Sequence, residues 1–217
     1  MQANSCSCDT IRDGPSVAIC VFCHKYWRGG RELASVSRVI REASPDSYSW
    51  EGVDERVVEN ARERGAETDF LFSGYIAGTL TEIPVGIRHD ARDRFLALQE
   101  WWDGLQPPAF AMSQVILADD VIAGTADVIL TLPEVEIWDV KNVAKLQSTY
   151  PAQVAAYAQL YQAQYGATVS KIGVIHVTQQ KHKPVIVRKV EYDFNAAMSQ
   201  WLTLRHAWQG MRGKVAT

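Results

Sequence analysis

The stretch IAGTADVILTLPEVEIWDVKN, residues 122–142, decides the fold. It contains two runs rich in valine and isoleucine, separated by a proline-containing loop at residues 132–134. Such runs are typical of β-strands, and the short loop between them predicts an antiparallel hairpin. A third run of the same character precedes them. The predicted strands of this unit are 111–118, 121–131 and 135–141.

Helices and further strands are predicted outward from this unit. The upstream residues, 31–110, are mostly helical in pattern, with the clearest helices at 53–67 and 87–105. The predicted downstream elements are a helix from Pro151 to Gly166, strands at 171–178 and 184–192, and a last helix at about 195–208. This order of helices, three strands, helix, strands and helix predicts an α/β layered domain and excludes a regular βαβ series.

Composition is that of a globular protein. The chain has 217 residues, of which 47% are hydrophobic, so a sizeable core can form and global disorder is excluded. The longest apolar run without glycine, Val17 to Cys23, is too short to cross a bilayer. No secretory signal is recognised at the start of the sequence. We therefore expect a soluble cytoplasmic protein with no membrane partner.

Charge is distributed unevenly along the chain. The formal net charge is −3, which by itself does not indicate a nucleic-acid-binding protein. The first 140 residues hold 12 Lys and Arg against 23 Asp and Glu, whereas the rest holds 10 against 2. This asymmetry predicts either a basic tract for a polyanion or two oppositely charged faces that attract one another.

Three polar residues interrupt the predicted hairpin: Asp127, Asp139 and Lys141. Because side chains alternate along a strand, Asp139 and Lys141 should point to the same face. A hairpin centred on Pro133 would place Asp127 directly opposite Asp139. Two carboxylates facing each other on a half-buried sheet repel, so unless one of them is protonated, Lys141 and a divalent cation are expected between them. The alternative is an ordinary surface hairpin with salt bridges.

The neighbouring hairpin adds a further candidate ligand. If its turn is centred on Asp119 and Asp120, Met112 lies opposite Asp127 and Gln114 is the diagonal neighbour on the same face. The side-chain carbonyl of Gln114 would then complete or brace a metal shell.

Gln153 and Tyr157 lie one turn apart on the helix that follows the Lys141 strand. They are either a solvated amide and a core aromatic residue, or part of the same site. The start of that helix favours anions, so a phosphate lying across Lys141 and the helix N-terminus is physically reasonable.

Together these segments resemble the PD-(D/E)XK nuclease superfamily, in its RecB-like or Cas4-like branch, which includes the mitochondrial genome maintenance exonuclease. The resemblance spans roughly residues 32–208 and depends on the combination of segments, since no single one is specific. The matching segments are GTADVIL, IWDVKN and YPAQVAAYAQLY, with weaker matches in ELASVSRVI, ARERGAETDF and the tail SKIGVIHVTQQ and SQWLTLRHAW.

The resemblance implies a restriction-endonuclease-like core, in which helices flank a central mixed β-sheet, and a metal-dependent DNA nuclease. The implied ligands of Mg²⁺ or Mn²⁺ are the carboxylates of Asp127 and Asp139 and the carbonyl of Val140. Lys141 would orient or deprotonate the attacking water and stabilise the charge that grows on the phosphate. The residues implied to position the substrate or the lysine are Gln153 and Tyr157.

Two positions depart from the family pattern. Asp69 lies where the family often has a metal-binding histidine, and Gln114 lies where it often has a glutamate. Aspartate is a good ligand for Mg²⁺, whereas losing the glutamate charge weakens metal affinity. The resemblance leads us to expect a DNA nuclease of a bacterial or phage-infected cell, more narrowly an exonuclease on single-stranded DNA or DNA ends, in repair, recombination or phage replication. The alternatives are an inactive nucleic-acid-binding module and a subunit that binds a protein partner in a repair or replication complex.

All cysteines precede the predicted core, at Cys6, Cys8, Cys20 and Cys23. This arrangement predicts a structural Zn²⁺ site, and a flexible reduced tail is the alternative. Cas4-like nucleases often carry an iron–sulfur cluster whose cysteines flank the core at both ends. In this chain all the cysteines precede the core, so such a cluster is disfavoured. We predict residues 1–30 as a separate cysteine-bearing segment and residues 31–217 as the nuclease-like domain.

Overall fold

The structure is a computed structural model that describes residues 11–13, 17–20, 25–44, 52–105, 110–131 and 133–213. In these ranges the strands are β1 (Ile11–Asp13), β2 (Ala18–Cys20), β3 (Tyr26–Arg28), β4 (Arg31–Ser35), β5 (Ala111–Ala118), β6 (Ile122–Leu130), β7 (Val135–Asn142), β8 (Val169–Gln179) and β9 (Val185–Tyr192). The helices are α1 (Val36–Ala43), α2 (Glu55–Ile76), α3 (His89–Gly104), α4 (Tyr150–Tyr165) and α5 (Phe194–Gly213).

The strands form one connected mixed sheet with β6 and β7 at its centre. Its order is β1-β2-β3-β4-β6-β7-β8-β9, and β5 pairs with β6 outside this path. The pairs β4–β6 and β7–β8 are parallel, and the other pairs are antiparallel. The predicted α/β architecture, with helices flanking a central mixed sheet, is confirmed.

Helices cover both faces of this sheet. Consecutive residues of β7 separate the two layers, since Ile137 packs with α1, α4 and α5 whereas Trp138 packs with α2 and α3. Helix α4 is buried along most of its length, and its buried alanines at positions 152, 155, 156 and 158 allow close approach to its neighbours. It begins with Pro151 in the first turn and ends at Gly166, whose φ of 67° is left-handed.

The strands of the first 35 residues extend the sheet. Residues 31–110 were expected to be mostly helical, but Arg31–Ser35 forms strand β4, which pairs with both β3 and β6. Burial of Leu33 and Ala34 stabilises this strand. The sequence pattern did not reveal it, because a five-residue run is too short to show a helical or a strand period. Val17, Ile19 and other apolar residues of this region form a small cluster against β5 and β6. The domain boundary at residue 30 stays a prediction.

Within the described ranges, no helix is both long enough and apolar enough to cross a bilayer.

Candidate functional site

A cleft opens where β4 and β7 separate from β6. Strand β4 pairs with β6 at Ile122 and Ala123, whereas β7 pairs with it from Val128 to Leu130. The stretch of β6 between these two ladders contains Thr125 and Asp127, and both line a cleft of about 740 Å³. The divergence of the two partner strands thus exposes one part of the central strand to the cleft.

The register of the β6–β7 hairpin is the predicted one. Val128 pairs with Trp138 and Ile129 pairs with Ile137, which is the expected register, and the ladder ends there, one residue before Asp127 and Asp139. Both aspartates line the cleft. The Oδ2 atom of Asp127 accepts a hydrogen bond of 2.8 Å from the backbone N–H of Val140. This bond holds the Asp127 carboxylate against β7, beside Asp139.

Asp139 connects the lysine of β7 to helix α4. Its Oδ2 atom lies 2.5 Å from Nζ of Lys141, in agreement with the expected shared face. Its Oδ1 atom accepts a 3.3 Å hydrogen bond from Nε2 of Gln153, which also donates to the hydroxyl of Tyr157 at 2.8 Å. Gln153 and Tyr157 are therefore buried parts of one polar network, and the interpretation of Gln153 as a solvated amide is excluded.

The predicted register of the β5–β6 hairpin is wrong by two residues. Met112 pairs with Ile129 and Ser113 pairs with Val128, which leaves Gln114, not Met112, opposite Asp127. The turn is centred one residue later than expected, because the Asp119 carboxylate accepts hydrogen bonds from the N–H groups of both Val121 and Ile122, at 2.7 Å. A shift of two residues keeps each side chain on its face, so the alternating pattern did not reveal it.

Gln114 joins the two acidic groups of helix α2 and strand β6. Its Nε2 atom donates to both carboxylate oxygens of Asp69, at 3.1 and 3.0 Å, and to Oδ1 of Asp127 at 3.2 Å. Its φ of 52° is left-handed, which is uncommon for a residue with a side chain. The neutral amide therefore lies between two carboxylates, in the place where a bridging cation would be expected.

Electrostatics couple the buried groups of the cleft. Burial, followed by the charges of Asp139 and Asp69, raises the pKa of Asp127 well above its usual value. Burial alone would lower the pKa of Lys141, but the carboxylates of Asp139 and Asp127 outweigh it and raise that pKa. Burial and the same two carboxylates raise the pKa of Tyr157 well above the usual range. The cleft thus favours positive charge and resists further negative charge.

Several residues that support this site were not singled out from the sequence. A Cβ atom on Gly124 would lie 2.6 Å from Cε1 of Tyr157, so only glycine leaves room for that ring. Tyr150 lies under the ammonium group of Lys141, with 4.8 Å from Nζ to the ring centroid. Burial and Asp139 raise the pKa of Tyr192 to about 12. The glycine that begins the GTAD segment was the available signal, since glycine in a strand marks a close approach.

The chemistry of the donor set suits a hard divalent cation. Asp69, Asp127 and Asp139 supply carboxylate oxygens in one cleft, and the side-chain carbonyl of Gln114 and the backbone of Val140 lie beside them. Lys141 lines the same cleft and supplies an ammonium group. However, within the described ranges no three acidic, histidine or cysteine side chains are arranged closely enough to hold a metal ion. The oxygen donors fit Mg²⁺ or Mn²⁺, but amide and ammonium nitrogens now contact them.

The predicted cysteine site lies largely outside the described residues. Cys6, Cys8 and Cys23 fall there, and Cys20 is buried at the end of β2. The zinc prediction therefore stays a prediction.

Comparison with solved structures identifies a protein of the same fold. A "putative exonuclease" from Eubacterium rectale is 14% identical, with 82% of each chain covered and a TM-score of 0.54. A phage-related exonuclease from Haemophilus somnus 129PT covers 85% of this chain and 95% of its own at 10% identity, with a TM-score of 0.39, too low to support an argument. No protein-family model matches the chain. No curated protein matches it either.

Proposed function

We propose that this protein is a metal-dependent nuclease that hydrolyses phosphodiester bonds of DNA, with single strands or DNA ends as substrates. One observation carries the proposal: Asp127, Asp139 and Lys141 line one cleft, with the Lys141 ammonium 2.5 Å from the Asp139 carboxylate. Carboxylates beside a buried lysine are the groups that phosphodiester hydrolysis needs, because the reaction requires both an activated water and neutralised charge. The fold shared with a "putative exonuclease" from Eubacterium rectale supports the same class of enzyme.

The oxygen-bearing residues of the cleft are proposed to bind a divalent cation. Asp127 and Asp139 would hold Mg²⁺ or Mn²⁺, with the backbone of Val140 and the side chains of Asp69 and Gln114 beside them. The bound ion supplies positive charge that neutralises the phosphate and makes a water molecule more acidic. The metal ligands proposed here are Asp127, Asp139, Val140, Asp69 and Gln114.

Lys141 would act on the phosphate and the attacking water. Its ammonium group is fixed between Asp139 and the face of Tyr150, so it can donate a hydrogen bond without losing that position. Gln153 bonds to Asp139 and to Tyr157, so these two residues of α4 hold the carboxylate in place. Tyr157 in turn fills the space that Gly124 leaves. The residues of α4 are therefore proposed to position the catalytic carboxylate.

The cellular role follows from the resemblance of the sequence to RecB-like and Cas4-like nucleases. We propose a role in DNA repair, recombination or phage replication, with DNA as the main partner and a protein partner in a repair or replication complex.

An inactive nucleic-acid-binding module is the second candidate. The observation that favours it is Gln114, whose neutral amide donates hydrogen bonds to Asp69 and Asp127. A glutamate there would add a negative charge, and a site with less negative charge binds divalent cations more weakly. Salt-dependent DNA binding without cleavage under any divalent cation would favour this candidate.

Cleavage assays distinguish the two candidates. Labelled single-stranded and double-stranded DNA would be incubated with Mg²⁺ or Mn²⁺ and the wild-type protein, the Lys141→Ala variant or the Lys171→Ala variant. Lys171 is a matched control, because it also forms an ion pair from the sheet, with Glu136, but does not line the cleft. We expect cleavage by the wild type and the control only. Equal cleavage by Lys141→Ala would exclude the proposed active site.

A further inference from the structure

One face of helix α2 lines the cleft between residues 65 and 73. It presents Gly65, Ala66, Asp69, Phe70 and Ser73, which follow the spacing of a single helical stripe. Asp69 has a role in the site already described, but the residues on either side of it do not. This stripe therefore contains side chains that the hydrolytic chemistry leaves unexplained.

Phe70 is an exposed aromatic residue at the edge of this cleft. It is 55% exposed, whereas the next two residues, Leu71 and Phe72, are buried in the core beneath α2. The core is thus complete without the ring of Phe70. An exposed ring beside a cleft that contains catalytic groups is suited to stacking against a flat ligand.

Gly65 leaves open space in front of that ring. Side chains on a helix lean toward its N-terminus, so the ring of Phe70 lies over the turn that holds Gly65 and Ala66. A Cβ atom on Gly65 would meet nothing within 4 Å. Glycine inside a helix is destabilising by about 0.5–1 kcal/mol relative to alanine, and no packing contact explains it here. The small side chains of this turn leave room beside the ring, and Gly65, Ala66 and Phe70 are called the shelf of the cleft below.

Arg41 supplies a cation to the same cleft from helix α1. Arg41 lines both this cleft and an adjoining cavity of about 400 Å³. The other cations of the two cavities, Lys25, Arg38 and Lys141, each have a carboxylate partner. Arg41 is exposed and has no hydrogen bond or ion pair with any residue in the described ranges. Its guanidinium is therefore available to an external anion.

The two residues reach the cleft from different faces of the sheet. Helix α1 packs in the layer of α4 and α5, whereas α2 packs in the layer of α3. Phe70 and Arg41 both line the cleft that contains Asp127 and Asp139, so a ligand there can contact the ring from one helix layer and the cation from the other. A ring for a base and a guanidinium for a phosphate match the two repeating parts of a nucleic acid strand.

We propose that Phe70 stacks against an unpaired base and that Arg41 binds a backbone phosphate of the same strand, so that the cleft selects single-stranded nucleic acid. The identity of this ligand rests on the proposed nuclease function. In a duplex the base faces are covered by their neighbours, so stacking on Phe70 requires a single strand or an opened end.

Binding measurements test the two contacts separately. Fluorescence anisotropy would be recorded with labelled oligothymidylate and with a blunt duplex, in Ca²⁺ and in a Lys141→Ala background that prevents cleavage. Phe70→Ala should weaken binding of the single strand by about fivefold or more, and Phe70→Trp should restore it. Binding of the duplex should change much less. Val57→Ala is the matched control, because Val57 is 59% exposed on the same helix but does not line the cleft.

The salt dependence of binding isolates the phosphate contact. Arg41→Gln should reduce the slope of log K against log salt by about 0.7, the value for one phosphate contact to a single strand, whereas Phe70→Ala should leave the slope unchanged. Arg62→Gln is the control, since Arg62 is exposed on α2 and does not line the cleft. Gly65→Leu fills the shelf and should weaken single-strand binding without lowering the melting temperature.

The possible results separate this proposal from the nuclease assignment. Wild-type affinity for the single strand in a folded Phe70→Ala variant, or an unchanged salt slope in Arg41→Gln, would overturn the proposed contacts. This holds even if the protein cleaves DNA. Conversely, a Phe70-dependent preference for single strands in a protein that never cleaves DNA would support the contacts and reject the nuclease.

Discussion

The side-chain amide of Gln114 donates hydrogen bonds to Asp69 at 3.1 and 3.0 Å and to Asp127 at 3.2 Å, so a single nitrogen bridges helix α2 and strand β6. A neutral group thus connects two acidic side chains that would otherwise repel each other. The amide hydrogen bonds therefore offset part of the repulsion between the two carboxylates. A change of charge at position 114 should therefore alter both the stability of the protein and its response to divalent cations.

Replacing Gln114 by Glu should destabilise the metal-free protein and increase its response to Mn²⁺. The variant removes the three hydrogen bonds from the amide and adds a carboxylate beside Asp69 and Asp127, which should cost about 1–3 kcal/mol. Thermal unfolding with and without Mn²⁺ measures both effects. Gln114→Met, which also loses the hydrogen bonds but adds no charge, is the control. Equal Mn²⁺-dependent shifts in the two variants would show that position 114 does not contribute to a metal site.

Replacing Gly124 by Ala should destabilise the protein by about 1–3 kcal/mol, because the new Cβ would lie 2.6 Å from the Tyr157 ring and 3.1 Å from Val36. Chemical denaturation measures the loss. The matched control is Gly210→Ala in helix α5, where a Cβ meets nothing within 4 Å and stability should rise by about 0.5–1 kcal/mol. If both variants were equally stable, the close approach of Tyr157 to β6 would be refuted.

Replacing Tyr157 by Phe should separate positioning from packing. The ring still fills the space beside Gly124, but the 2.8 Å hydrogen bond from Gln153 is lost. Stability should fall by only about 1 kcal/mol, whereas kcat of DNA cleavage should fall with little change in KM, because Gln153 then holds Asp139 less firmly. Single-turnover cleavage and denaturation measure the two quantities. A rise in KM at constant kcat would instead assign the hydroxyl to substrate binding.

Glu136 should contribute to stability at neutral pH and lose that contribution in acid. Burial alone would raise its pKa, but hydrogen bonds from Lys189, Lys171 and Trp138 lower it below the usual 4.5. A carboxyl whose pKa is lower in the folded state stabilises the protein above its unfolded-state pKa. The contribution disappears as the pH falls through the folded-state pKa.

Urea denaturation between pH 3 and pH 7 tests this dependence. Glu136→Gln should be less stable than the wild type by about 1 kcal/mol at pH 7, and the difference should shrink below pH 4.5. Glu82→Gln, at an exposed position, is the control and should show no comparable difference. A stability difference that is constant across this pH range would contradict an ionised role for Glu136.

The local pattern of the sequence was sufficient for the central elements. Alternating valine and isoleucine runs predicted β5, β6 and β7 to within about one residue at each end, since strand propensity and turn residues act over short distances. The D-x-K spacing predicted that Asp139 and Lys141 share a face, because alternation is a property of any strand. The symmetric loop around Pro133 likewise predicted the register of the β6–β7 pairs, and Asp127 and Asp139 line one cleft just beyond the last pair.

The tertiary structure decided how distant segments meet at the cleft. The strand register that brings Gln114 beside Asp127 depends on the hydrogen bonds of the Asp119 side chain in the turn. A register shift of two residues leaves the alternating pattern of the sequence unchanged, so the pattern could not reveal it. The approach of Asp69 and Phe70 from one sheet face and of Arg41 from the other depends on how whole helices pack. Short-range propensity therefore determined which elements form and that Asp139 and Lys141 share a face. Long-range packing determined which other side chains line the cleft that contains them.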